Sequence, residues 1–381
     1  MNAYGFLSTY PPTQCGLATF TASMVRHLTA PGTGGRAGVV RVVDEPQGSL
    51  PTHVVTHLVN GARDGADLAA AALNKFDVAI IQHEYGIYGG RDGEDVLRVM
   101  AGLEVPAIVV LHTVLSQPSP HQRQVLERVA DASDVVVVMS ETAAHRLKEV
   151  YLVDPARVTV IPHGALGSAS NISTLTADKL LGRRPTILTW GLIGPGKGIE
   201  WAIDAMAGLA DLRLPPRYLV AGQTHPKVLE REGDSYRDSL RARAAANGVS
   251  DLVEFDARYR DAETLMALVR QADIVLLPYE SSEQVTSGVL IEAVASRRPV
   301  VATDFPHARE LLAGGAGLVV AHRDPDAMAA ALRRILTERG LAASMTTAAG
   351  RISPSLEWSA VAARYARLTE ALIGLRVGVA A

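Results

Sequence analysis

Residues 276–305, LLPYESSEQVTSGVLIEAVASRRPVVATDF, fit few folds. An apolar strand, Asp273-Ile274-Val275-Leu276-Leu277, is closed by Pro278. A hydroxyl-rich loop follows from Tyr279 to Ser287 and holds adjacent Glu283 and Gln284. An apolar helix then starts near Gly288 and stops before Pro299, where Val300-Val301-Ala302 opens another strand. Strand, loop, helix, strand is the unit that sets a helix N-terminus at the carboxyl edge of a parallel sheet. Its free N–H groups and partial positive charge suit a phosphate or carboxylate. Thr286, Ser287 and Gly288 are small enough to let an anion reach the backbone. One turn in, Glu292 is flanked by Val289, Leu290, Ile291, Ala293, Val294 and Ala295. A carboxylate in so apolar a helix needs a partner. Two are open: the ribose hydroxyls of a nucleotide whose phosphates lie at the same helix end, or an arginine such as Arg309.

The rest of the chain repeats this unit. Before residue 164, strands are expected near Gly38–Val43, Val78–Gln82, Ala107–His112, Val135–Ser140 and Val158–Pro162, with a short one ahead of Ser8. Helices separate them, near Ala18–Thr29, Gly65–Leu73, Glu94–Ala101, Gln122–Ala130 and Glu141–Val150. Apart from the strand near Gly38–Val43, patterns between Gly32 and Gly65 are weak. From Gly164 to Arg184 the composition turns to Gly, Ser, Ala, Asn and Thr, which reads as an interdomain linker. A second alternating series begins at Thr186, and an amphipathic helix near Leu356–Leu372 ends the chain. Continuous apolar strands separated by helices imply parallel sheets covered on both faces. The expected class is α/β, with two doubly wound domains facing one another across a cleft.

At 381 residues and 48% apolar, the chain can fill two cores, and a net charge of −3 gives no electrostatic case for nucleic acid. A lone cysteine, Cys15, excludes an internal disulfide and fits a reducing compartment. The first residues, MNAYGFLSTYPP, have neither the basic start nor the apolar core of a signal peptide. No apolar run approaches the roughly 20 residues of a membrane span. These features point to the cytoplasm, with membrane contact at most peripheral through basic residues near Arg123 and Arg128.

Ligands of doubly wound sheets bind beyond the strand carboxyl ends, so the polar residues there are the candidates. After Thr189-Trp190 comes Gly191-Leu192-Ile193-Gly194-Pro195-Gly196-Lys197-Gly198, a glycine-rich turn that delivers Lys197 at a helix start. It lacks the Ser/Thr and the spacing of a nucleoside-triphosphatase phosphate loop. Lys197 remains suited to a diphosphate as a point charge, or to solvent. In the first half, His83-Glu84, His112-Thr113 and His163-Gly164 end three strands and suggest a polar cleft floor. No pair among them has helix or hairpin metal-ligand spacing, so no metal site is expected. Cys15-Gly16 reads as a turn. Asp324-Pro325-Asp326 reads as a helix start rather than a metal motif.

Five segments, the Gly16 loop, Val110–Thr113, Val158–Gly164, Gly191–Gly198 and Pro278–Thr303, resemble the retaining nucleotide-sugar glycosyltransferases of family 4. Glu310-Leu311-Leu312 and Gly315–Val319 extend the likeness. The resemblance implies a GT-B fold of two Rossmann-like domains: 1–165 for the acceptor, with a C-terminal helix at 355–375 crossing back to it, and 182–354 for the donor. It implies a metal-independent transferase with no permanently bound cofactor, moving a hexose from a nucleotide diphosphate sugar (a GDP- or UDP-sugar) to a hydroxyl-bearing sugar, glycolipid or small molecule. By resemblance, Glu292 holds the donor ribose, and the amides of Thr286, Ser287 and Gly288 meet the diphosphate. Lys197 neutralises the leaving group, His112 contacts the donor sugar, and the Gly16 loop approaches diphosphate and acceptor. The family's paired glutamates, with seven residues between them, fall on Gln284 and Glu292; Gln284 keeps hydrogen bonds to sugar hydroxyls without the charge. Leu192 stands where the family usually has an arginine. A sugar phosphorylase, a nucleotide-sugar epimerase and a non-catalytic nucleotide-sugar binder remain as alternatives.

Overall fold

The computed structural model describes residues 2–166 and 183–380; most of the expected linker, 167–182, lies outside the described residues. The chain divides into two compact units, one of residues 1–164 with 358–381 and one of residues 165–357.

In the N-terminal unit, strands β1 (Ala3–Ser8), β2 (Arg36–Val43), β3 (Val54–Val59), β4 (Val78–His83), β5 (Ala107–Leu111), β6 (Val135–Val138) and β7 (Val158–Val160) form one sheet. The order is β3-β2-β1-β4-β5-β6-β7, and every pairing is parallel. β1, β4 and β5 are buried along their whole length, as strands with helices on both faces must be. β3 is the strand that the residues did not announce. As an edge strand it is buried only at Val54 and Leu58, so its pattern is weak. Helices α1 (Gly16–Leu28), α2 (Gly65–Leu73), α3 (Val96–Ala101), α4 (Pro120–Asp131) and α5 (Glu141–Val150) make the crossovers. The starts of α4 and α5 follow capping chemistry: Ser119 and Gln122 form a reciprocal capping box, and Ser140 Oγ accepts from the Ala143 amide.

In the C-terminal unit, β8 (Thr186–Trp190), β9 (Arg217–Ala221), β10 (Val253–Asp256), β11 (Ile274–Leu277), β12 (Val300–Thr303) and β13 (Gly317–Val320) run in the order β10-β9-β8-β11-β12-β13, again all parallel. Its helices are α6 (Ile199–Ala207), α7 (Pro226–Glu232), α8 (Ser235–Ala246), α9 (Ala262–Gln271), α10 (Gly288–Ala295), α11 (Pro306–Leu312), α12 (Pro325–Thr337) and α13 (Leu341–Leu356). Asp324 caps α12 by accepting from the Ala327 amide, with Pro325 at the first helical position, as its sequence context implies. α13 escapes sequence reading because it is built of Ala, Ser and Thr and carries Pro354. Ala348, Ala349 and Leu356 nevertheless complete the core around Leu290, Ala293 and Val294. Leu356 therefore closes α13 rather than opening the last helix, α14 (Trp358–Ala380), which starts after an extended Glu357. Val361, Ala362, Tyr365 and Thr369 form the buried stripe of α14.

Both sheets reverse their strand order at one place, between β1 and β4 and between β8 and β11. These are the topological switch points, where crossovers leave in opposite directions and open a crevice beyond the carboxyl ends.

Candidate functional site

At the switch point of the C-terminal unit, the loops after β8 and β11 are fitted together. The Glu280 amide donates to the Gly196 carbonyl at 3.0 Å. Gly198 has φ +65, and a Cβ built there would stand 1.8 Å from the Pro278 carbonyl oxygen. Only glycine satisfies both the left-handed backbone and that approach. This fit carries the preceding residue, Lys197, over the Tyr279 ring, with Nζ 4.5 Å from the ring centroid. The ring faces the ammonium as a cation–π partner. Burial lowers the lysine pKa, and no carboxylate pairs with it among the described residues.

Glu292 lies near Tyr279, whose hydroxyl pKa is raised by burial and by the Glu292 charge. Trp190 Nε1–H donates to Glu292 Oε2 at 3.3 Å. Arg309, the other candidate partner, is committed to Asp304 and makes no bond to Glu292. Among the described residues the carboxyl thus has one long bond and no counter-cation. Desolvation raises its pKa to about 7, the indole bond opposing the rise.

α10 begins as expected at Gly288, with Ser287 as N-cap: its Oγ accepts from the Leu290 amide at 3.3 Å. One expectation needs correcting. The Ser287 amide does not face outward, because it donates to Nδ1 of buried His307 at 2.9 Å. The helix-end donors left without a protein acceptor among the described residues are the amides of Gly288 and Val289. Thr286 adds a buried Oγ1 with no partner. Gln284 is half-buried, and its carbonyl accepts from the His307 amide at 3.2 Å. His307 therefore grips the loop at both Gln284 and Ser287. Leu192 is half-buried in the glycine-rich turn.

At the switch point of the N-terminal unit, the polar groups are differently arranged. His112 follows β5, and its Nε2 donates to Gln82 Oε1 at 2.7 Å, so Nδ1 is the ring's acceptor. Phe20 of α1 meets His112 and His163 edge-on, each at 4.9 Å between centroids, and Trp358 at 5.0 Å. Burial lowers the pKa of His112 to about 3, and those of His83 and His163 to about 4. All three imidazoles are neutral near pH 7. Glu84 accepts from Thr113 Oγ1 at 2.5 Å and from the Tyr85 amide at 3.0 Å, and burial raises its pKa. No group of three or more His, Cys, Asp or Glu with metal-binding geometry occurs among the described residues. Cys15 caps α1, its sulfur accepting from the Ala18 amide at 3.4 Å, and Gly16 is exposed as the first helical residue.

The structure thus brings Lys197, Gly288 and Glu292 together in one unit and sets His112 and Gly16 in the other. Sequence reasoning did not single out Trp190, Tyr279, His307 or Phe20. The first two adjoin the candidate loops, but nothing local marks His307 or Phe20, which act across 20 and 92 residues.

The same division appears in comparison with known proteins. Residues 16–165 match the model of Glycosyltransferase Family 4, and residues 184–338 match that of Glycosyl transferases group 1. Among solved structures, a glycosyltransferase from Rickettsia africae superposes with a TM-score of 0.75 at 16% identity, covering 98% of this chain and 99% of that one. Anabaena Alr3699/HepE in complex with UDP-glucose gives 0.71 at 17% identity, covering 97% and 100%. The fold is GT-B. The chain belongs to the family 4 glycosyltransferases. Curated relatives include the D-inositol 3-phosphate glycosyltransferases of Corynebacterium urealyticum, 28% identical over 66% of this chain and 60% of that protein, and of Thermobispora bispora, 30% identical over 70% and 66%. The chain thus spans less than two thirds of the length of these relatives. No helix among the described residues is long and apolar enough to cross a membrane.

Proposed function

We propose that this protein transfers a hexose from a nucleotide diphosphate sugar to a hydroxyl acceptor, with retention at the anomeric carbon and without a metal ion. The observation that carries the reading is Glu292. It is a carboxyl at a switch point, one turn below two helix amides, and among the described residues neither it nor they have a counter-charge or acceptor. Two ribose hydroxyls donating to Oε1 and Oε2 would satisfy it, while the Gly288 and Val289 amides take the diphosphate. Lys197, held over Tyr279 at the same edge, supplies the positive charge that develops its value as the diphosphate departs. His112 is neutral and serves as a hydrogen-bonding and ring contact for the donor sugar rather than as a cation. Gln284 is assigned to sugar hydroxyls and the Gly16 loop to the acceptor. Catalysis in this reading comes from positioning and electrostatics rather than from a side-chain general base.

The donor is of the kind seen in the UDP-glucose complex of the Anabaena neighbour, and GDP-sugars are the other candidates. The relatives named for D-inositol 3-phosphate put a phosphorylated cyclitol first among acceptors to try. Calorimetry with UDP-, GDP-, ADP- and TDP-sugars tests the reading. One nucleotide should bind, and Glu292→Ala should weaken it roughly 100-fold through the loss of two charge-assisted hydrogen bonds. Unchanged binding in that variant would refute the assignment. Tight binding without transfer to any acceptor would leave a nucleotide-sugar binder instead.

A further inference from the structure

Three arginines are buried among the described residues: Arg41, Arg237 and Arg298. Arg298 donates to the Ser296 and Ala272 carbonyls, and Arg237 to the Gly222 carbonyl. Arg41, 6% exposed, has neither a carbonyl nor a carboxylate among the described residues. Its one bond runs from Nη2 to Thr13 Oγ1 at 2.9 Å, and its Nε is buried with no partner. The sheet register sets Arg41 opposite Ser8, the last residue of β1, and opposite His57 on β3. His57 Nε2 is also buried and unpartnered. Burial and the Arg41 charge both lower the His57 pKa, so a neutral imidazole stands beside the guanidinium.

Nearby carboxylates do not resolve this. Asp44, three residues on, accepts from Asn60 Nδ2 at 2.9 Å and makes no ion pair with Arg41. A guanidinium taken out of water without a counter-charge is costly, and a fold that keeps one holds it for a partner. The Thr13 bond draws it to the carboxyl edge of the sheet, into the loop between β1 and α1. The planar fork of an arginine, with a hydroxyl and an imidazole N–H beside it, suits the oxygens of a phosphate group.

We propose that Arg41, His57 and Thr13 form an oxyanion subsite that receives the phosphate of a phosphorylated acceptor. The assignment rests on the proposed function, in which the acceptor engages the N-terminal unit. It makes Arg41 a specificity determinant, distinguishing charged from neutral acceptors.

The full chain carrying Lys197→Ala, which weakens the anion site of the other unit, is titrated calorimetrically with inorganic phosphate, D-inositol 3-phosphate and myo-inositol. The two phosphates should bind and the inositol should not. Adding Arg41→Met should weaken both phosphates roughly 10- to 100-fold, with Arg41→Lys in between. In phosphate-free buffer the melting temperature of the Arg41→Met chain should hold or rise, because an uncompensated buried charge has been removed. Unchanged phosphate affinity in the folded Arg41→Met chain, or no phosphate binding before that change, overturns the subsite. So does a lowered melting temperature with affinity retained, which would mark a structural arginine. Phosphate binding that tracks Arg41, with no turnover of any nucleotide sugar by the wild-type protein, would keep the subsite and remove the transferase reading. Transfer that Arg41→Met slows equally for phosphorylated and neutral acceptors would do the reverse.

Discussion

The carboxyl edges of the two sheets solve different electrostatic problems with the same backbone plan. In the C-terminal unit the loops at the switch point present a lysine over an aromatic ring and a carboxyl without a cation. In the N-terminal unit the corresponding loops present three imidazoles that burial keeps neutral. The first edge separates charge and so can hold a ligand that is anionic at one end and rich in hydroxyls at the other. The second edge offers neutral imidazole donors and acceptors, which suit sugar hydroxyls, beside the Glu84 carboxyl and the Arg41 guanidinium. One topology thus carries two kinds of recognition, and side chains at equivalent strand ends decide between them.

If this contrast governs function, substitutions at the two edges should fail differently. The largest effect is expected from Lys197→Ala, which should lower kcat by about 10²- to 10³-fold by removing the charge opposite the leaving diphosphate. It should also weaken nucleoside diphosphate binding. His112→Ala should lower kcat by about 10- to 100-fold and leave nucleotide affinity unchanged if, as proposed, this neutral group touches only the transferred sugar. Steady-state kinetics beside calorimetry separates the two, and equal loss of nucleotide binding in both variants would erase the distinction.

A middling effect is expected from pH. The empty-site pKa of Glu292 is raised to about 7, while ribose hydroxyls donating to the carboxylate would lower it in the complex. Binding then releases a proton, so nucleotide affinity should climb as pH rises towards about 7 and level off above it. Glu292→Gln should flatten that profile. The stability of the empty protein has the opposite sense. Its folded-state pKa lies above the ordinary carboxyl value of about 4.3, so the favourable contribution is complete below that value and is lost as pH rises towards about 7. A wild-type affinity that falls between pH 5 and 7 would contradict the ribose assignment. The smallest effect belongs to Trp190→Phe. Removing the single indole bond should raise the Glu292 pKa further and shift the affinity profile to higher pH by less than about one unit.

Much of the fold was legible because buried parallel strands are continuous apolar runs and helix starts carry capping residues. β4, β5, α4 and α12 are of that kind. β3 and α13 were not, for opposite reasons: one is an edge strand half open to solvent, and the other is a packed helix made of small residues. At the candidate site, Glu292 stood out because a carboxylate among aliphatic residues is conspicuous on any reading. Its true bond, from Trp190, joins residues 102 positions apart, and no local pattern encodes that. The Ser287 amide shows the limit most clearly. Its position at a helix start was readable, but its capture by His307 depends on how α11 packs against the loop.

The boundary of the C-terminal unit has a consequence for the chain as a genetic object. The Ala165 amide donates to the Leu356 carbonyl at 2.7 Å, and Ala165 bridges to Glu357, so the unit's two ends are hydrogen-bonded neighbours. Just outside, Gly164 leaves room for the Trp358 indole, which a Cβ would approach to 2.2 Å. A segment whose termini meet in this way is a self-closed cassette within a host sequence. Such a unit is a natural one to exchange or to permute circularly with both breaks at one seam, and Gly164 is the residue such grafts must keep.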